Sequence, residues 1–191
     1  NYLGTVLHGR LDLTKEKRYT LSTATKKLLG GLEEPVQVDV FLKGEFPAGF
    51  KKLANSTADF LQLLKDHNGS KINYQFITPT DEMPNGKPWG DTLVKMGAVP
   101  INLSVVKKAG ESSNINFPVA VLRYKGKETL VNLYPGASNN ISQNEINSAE
   151  ALLEYQFAKS LDKLTTDKKP AIAYAVGNGQ PVDYRVMDLE Q

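Results

Sequence analysis

The sequence predicts an α/β fold: a mixed sheet with flanking helices. Three observations lead there. Val36, Val38, Val40 and Leu42 repeat at period two, and Phe50, Leu53, Thr57, Phe60, Leu61 and Leu64 follow at helical spacing. Residues 72–77 then alternate again, so the order is strand, helix, strand, with the two strands expected to be parallel and joined by a right-handed crossover. Finally, residues 117–124 and 128–134 are two strand-like runs split by Lys125-Gly126-Lys127, a hairpin signal that makes the sheet mixed.

Taken in order, residues 3–13 are apolar enough for a first strand and give way to Lys15-Glu16-Lys17-Arg18. Ser22 is a candidate helix N-cap, and Gly30-Gly31 should stop that helix as C-terminal glycines do. In the strand after Pro35, Asp39 belongs to the face opposite the valines. The amphipathic helix runs to Asn68-Gly69, and the turn formers of residues 78–86 read as an exposed loop. A weaker helical pattern over 91–96 leads through Pro100 to a strand over 101–106, and Gly110-Glu111-Ser112-Ser113-Asn114 reads as a loop. Ser142 with Glu145 forms a capping box, and Ile146, Ala149, Leu153, Phe157, Ser160 and Leu164 predict one helix of about five turns. Beyond Pro170, residues 171–176 are apolar on both faces, as in a strand buried within a parallel sheet, and end at Gly177-Asn178-Gly179.

This arrangement is compatible with a thioredoxin-like βαβ…ββα topology, with Pro100 just ahead of a strand where such a fold places a proline. Two units are expected: an α/β domain over residues 1–167, and the start of a second, flavodoxin-like or amidotransferase-like α/β unit over 168–191. The opening Asn1-Tyr2-Leu3 and the close at Gln191 suggest a segment trimmed from a larger protein.

Composition narrows the function classes. Hydrophobic residues at 40% and charged residues at 23% describe an ordinary globular chain rather than a disordered one. A net charge of +2, with the lysine pairs scattered and not interleaved with aromatics, argues against a nucleic-acid partner. No cysteine is present, so thiol nucleophiles, disulfides, thiolate metal sites and the redox chemistry of thioredoxins are excluded. No run approaches the roughly 18 apolar residues of a membrane span.

Motifs for catalysis are equally sparse. His8 and His67 have neither metal-ligand spacing nor a G-x-S-x-G partner, which leaves no predicted catalytic, metal or cofactor site. Gly177-Asn178-Gly179-Gln180-Pro181-Val182 follows a strand as a phosphate loop would. Val182 replaces the third glycine, however, and Pro181 removes a donor. The sequon Asn55-Ser56-Thr57 lies inside the amphipathic helix and reads as incidental. Asp81 and Glu82 in the 78–86 loop, Trp89 just after it, and Asn178 are the candidate ligand- or partner-contacting residues. For Trp89 the two readings are core packing, which we favour, and a ligand-facing ring.

Residues 10–22 (Arg-Leu-Asp-Leu-Thr-Lys-Glu-Lys-Arg-Tyr-Thr-Leu-Ser) resemble the opening of GldG-type proteins, the gliding-motility-associated ABC-transporter accessory family. Residues 40–53 resemble that family's strand-to-helix segment, Phe117-Pro118 with residues 124–128 its hairpin, and residues 147–155 its long helix. The resemblance implies a non-enzymatic extracytoplasmic (periplasmic) domain, anchored in the bacterial inner membrane by helices outside this chain. Its implied role is protein interaction or substrate binding beside the permease and ATPase of an ABC transport system. Such proteins often carry a Gly-His-Gly-Glu-like motif after the next strand, where this chain has Gly177-Asn178-Gly179-Gln180. Two alternatives come from the residues alone: a thioredoxin-like module binding a peptide or small ligand without redox activity, and a hydrolase using dispersed carboxylates.

Overall fold

A computed structural model describes residues 19–136 and 141–166; the expected strands over 3–13 and 171–176, and with them the 168–191 unit, lie outside the described residues. The described residues form the expected mixed α/β arrangement, with a four-stranded mixed sheet among them flanked by helices.

Helix α1 (Thr23–Gly30) starts where Ser22 accepts a bond from the Thr25 amide at 3.2 Å, satisfying one of the free donors of the first turn. It closes at Gly31, which stays in the right-handed region (φ −84°), so the stop does not use the left-handed glycine conformation that its sequence suggests. Strand β1 (Val36–Val40) feeds α2 (Ala48–His67), which buries Phe50, Leu53, Phe60, Leu61 and Leu64 at the predicted spacing. Strand β2 (Ile72–Phe76) then pairs parallel with β1, from Val36 opposite Ile72 to Val40 opposite Phe76.

Helix α3 (Trp89–Lys95) leads to two strands of a separate ribbon, β3 (Ile101–Lys107) and β4 (Gly110–Asn116). The second of these was expected to be a loop. It is a strand because all its residues pair antiparallel with β3, from Ile101 opposite Asn116 to Lys107 opposite Gly110. Its Gly-Glu-Ser-Ser-Asn-Ile-Asn sequence is mostly exposed, so it has no apolar alternation to read, and pairing overrides a poor local preference. Leu103 buries in the main core, and the Lys107–Glu45 ion pair ties the ribbon to the loop after β1.

Strands β5 (Val119–Tyr124) and β6 (Lys127–Asn132) form the predicted hairpin, and β5 runs antiparallel to β1. The sheet order β2-β1-β5-β6 is compatible with a thioredoxin-like arrangement. The proline ahead of the antiparallel strand beside β1 is Pro118, whereas Pro100 precedes the separate ribbon. The capping box at Ser142 and Glu145 is present, with both bonds at 3.2 Å, but the long helix is interrupted. It divides at Leu152 (ψ −4°) into α4 (Gln143–Ala151) and α5 (Leu153–Thr165). The buried stripe continues through the break, which explains the reading as one helix.

The sheet is covered on both faces. Val38, Val40, Ala120, Leu122 and Val131 pack with Phe60 and Phe157, whose rings lie 5.4 Å apart, under the helices. On the other face, Phe41, Val119 and Val121 pack with Trp89, Leu93 and Ala98.

Two buried glutamates one turn apart fasten the helical layer. Glu150 accepts the Ser56 hydroxyl and pairs with Lys52 at 3.3 Å, joining α4 to α2. Glu154 accepts the Ser22 amide at 2.8 Å and the Thr25 hydroxyl at 2.6 Å, joining α5 to α1. Burial raises the Glu154 pKa above the ordinary 4.5, opposed by the Ser22 bond. A raised folded-state pKa means the folded chain holds the proton more tightly than the unfolded one. The group's stabilising contribution is therefore present below the unfolded pKa and lost as pH rises through the folded one. Glu154→Gln keeps an acceptor for both donors without the buried charge. It should melt higher than the parent at pH 7, with the gap closing toward pH 4.5 and below, read by thermal unfolding across pH. A deficit largest at pH 7 would contradict this.

Candidate functional site

The turn between β5 and β6 sets the geometry of the sheet's edge. Lys125 and Gly126 both have positive φ, 48° and 75°, which makes a two-residue type I′ turn whose twist matches the strands it joins. Such a turn closes on a hydrogen-bonded pair, here Tyr124 with Lys127, and antiparallel ladders alternate from there. Thr129 and Val131 therefore bond toward β5. Glu128, Leu130 and Asn132 turn their amides and carbonyls away from β5, along what is the edge of the sheet among the described residues.

Beside that edge lies a groove of about 600 Å³, within the size range of ligand-binding clefts, bounded by α5 and by the connection from α3 to β3. Ala98, Val99 and Leu130 give it apolar surface, and Gln156, Lys159 and Lys163 line the α5 side. The Ser160 hydroxyl donates to the outward carbonyl of Leu130 at 3.2 Å, so α5 is fixed to the edge at that point. At the groove's end, Tyr134 packs on Phe50 with ring centres 5.1 Å apart and donates its hydroxyl to Glu145 at 2.7 Å. Burial, then that carboxylate, pushes the Tyr134 phenol well above its ordinary pKa, so it is a fixed neutral donor.

A second polar cluster sits on the sheet face away from the long helices. Asp39 is wholly buried, accepts the Gln75 amide at 2.7 Å and pairs with Arg123. The Arg123 guanidinium lies over the Trp89 ring, 5.7 Å from its centre, and Trp89 meets Phe41 edge-on at 5.2 Å.

Trp89 is thus a packed residue. Asp81 and Glu82 are exposed in the loop before it, apart from the groove's lining. Asp81 serves the loop itself, accepting the Thr78 amide at 2.9 Å, and its bonds from Thr78 hold its pKa below the usual value. Glu82 forms a backbone bridge with Pro88, and the Trp89 amide reaches the Asp81 carbonyl at 3.4 Å, so the structure brings these three residues together as a loop anchored on the aromatic cluster. Asn178 lies outside the described residues. Sequence reading missed the groove because it depends on strand order. It placed Asp39 on the correct face but had no signal for its partner, since Arg123 is 84 residues away. Among the described residues no group of three or more His, Cys, Asp or Glu side chains could hold a metal ion, and no helix is long and apolar enough to cross a membrane.

The match to known families covers more than half of the sequence, residues 15–123, and it is to the family described as "Domain of unknown function (DUF7088)". The chain belongs to that family. No curated protein and no solved structure matches it. The matched span ends at Arg123 in β5 and supplies the groove's Ala98 and Val99, while β6 and α5 lie beyond it.

Removing Arg123 would leave the Asp39 charge buried with only Gln75 beside it. Arg123→Ala should cost about 3 kcal/mol in urea unfolding, and adding Asp39→Asn should recover part of that loss. Additive losses in the double variant would rule out the coupling.

Proposed function

We propose that this chain is a non-catalytic binding domain of a membrane-anchored ABC transport system of the gliding-motility-associated GldG type, acting on the extracytoplasmic side of the inner membrane. The observation that carries the binding role is the groove of about 600 Å³ beside the outward-facing edge of β6. It offers directed hydrogen-bonding groups next to apolar surface, a combination that suits holding a partner. The transport context is supported by the resemblance of residues 10–22, 40–53, 117–118, 124–128 and 147–155 to GldG-type proteins. Its partners on this reading are the system's permease and ATPase subunits, and its anchor is transmembrane helices outside this chain.

A second reading, a thioredoxin-like peptide or small-ligand module without redox activity, is favoured by the β2-β1-β5-β6 order and by Pro118 lining the groove. The two readings differ in partner rather than in site. Affinity purification of the full-length protein from membranes of its own host should bring down a permease and an ATPase of one ABC system, identified by mass spectrometry. Recovery of the protein in the soluble fraction without either subunit would set the transport reading aside in favour of the second.

A further inference from the structure

We propose that the groove receives an extended, carboxylate-bearing peptide segment of a partner protein, which adds to β6 as a fifth strand. The proposal deepens the binding reading above and rests on it in taking the groove as the binding site. Two kinds of recognition meet there.

The first is backbone. The type I′ turn points the amides and carbonyls of Glu128, Leu130 and Asn132 away from β5, at a repeat of two residues, about 6.8 Å. Among the described residues, no backbone carbonyl outside the ladder accepts from the Leu130 or Asn132 amides. Ser160 uses one lone pair of the Leu130 carbonyl, which leaves that oxygen able to accept a second bond. A row of alternating donors and acceptors at this repeat is matched by another extended backbone.

The second is charge. Lys159 and Lys163 lie one turn apart on the α5 wall, both exposed, and neither has an ion-pair partner among the described residues. Between them Asp162 also lines the groove and sets one carboxylate against the two cations, so the α5 wall keeps an excess of positive charge. An incoming strand with carboxylates on the side facing α5 would meet two cations against one acid, and so would be favoured over a basic strand. The opposite face of that strand would lie against Ala98, Val99 and Leu130 and favours small apolar residues.

The test uses the isotopically labelled 191-residue chain and the acetylated peptide Thr-Val-Glu-Val-Thr-Val-Glu-Val-Thr, followed by NMR at physiological salt. The expected result is amide shifts at Leu130 and Asn132 with slowed exchange there, and shifts at Ala98 and Val99. Methylating alternate peptide nitrogens, or replacing Glu by Lys, should weaken binding at least about tenfold. The double variant Lys159→Glu with Lys163→Glu should reverse the preference and take the Lys peptide over the Glu peptide, a gain that damaged folding would not produce. No shift at millimolar peptide, indifference to N-methylation, or shifts mapping elsewhere would overturn the proposal. So would Leu130 and Asn132 amides already as protected in the free chain as those of Thr129 and Val131, or a dimer of this chain formed through β6. Peptide binding without ABC subunits in the membrane purification would remove the transport reading and leave the strand-addition site standing. Subunits retained equally by the charge-reversed variant would do the opposite.

Discussion

Strand β1 has almost no surface to give to water: Val36, Val38, Asp39 and Val40 are all buried, and only Gln37 is partly open. A strand buried on both faces must sit inside the sheet and be covered from both sides. Its parallel neighbour β2 requires a long crossover, which α2 supplies, and that same helix becomes part of the cover over the valines. On the other side β5 pairs antiparallel and brings Val119 and Val121 beside Phe41, so a second, smaller core forms under α3. The layering of the domain follows from this one strand.

Burying β1 also buries Asp39, and the way that charge is answered is repeated elsewhere. Asp39 takes a bond from Gln75 on β2 and an ion pair from Arg123 on β5, so one carboxylate joins three strands. Glu150 and Glu154 do the same for the helices, joining α4 to α2 and α5 to α1. Among the described residues no buried side-chain nitrogen or oxygen lacks a partner. Buried ionic groups contribute little net stability, because desolvation opposes their attraction. What they penalise is any arrangement in which a carboxylate loses its partners, so each one pins the position of an element that apolar packing alone would leave freer.

The parts of this fold legible in the sequence are those governed by local periodicity. Strands β1 and β2 and helix α2 bury apolar residues at a spacing that one short window contains, and the β5–β6 turn and the capping box at Ser142 are each written in a few consecutive residues. Strand β4 was not legible because it buries little and is held by cross-strand pairing, which leaves no mark in its own residues. The break at Leu152 was hidden for the opposite reason, since the apolar stripe passes through it unchanged. The groove was further from reach still. Its walls come from the α3–β3 connection, β6 and α5, and only the sheet order brings them together. Trp89 sits in the aromatic cluster, as core packing of that ring predicts, and Asp81 in the acidic loop before it bonds the loop's own Thr78 amide.

An open sheet edge is a hazard unless its pairing is restricted, because any exposed strand can dock on it. Here the restriction is built from neighbouring elements. Exposed Lys127 and Glu128 open the strand with opposite charges, and α5 closes over the middle through Ser160, so an incoming chain must fit between the edge and the helix wall. The wall then imposes a charge preference through Lys159 and Lys163. These restricting residues all lie past residue 123, where the family match ends, whereas Ala98 and Val99, the paired strands β1 and β2, and all of β5 but Tyr124 lie within it. The matched span thus supplies the scaffold and part of the groove's apolar lining, and the remainder decides what can enter. Substitutions in the α5 wall would therefore change what the groove accepts without disturbing the burial of β1, which depends on β2, β5 and the helices over them.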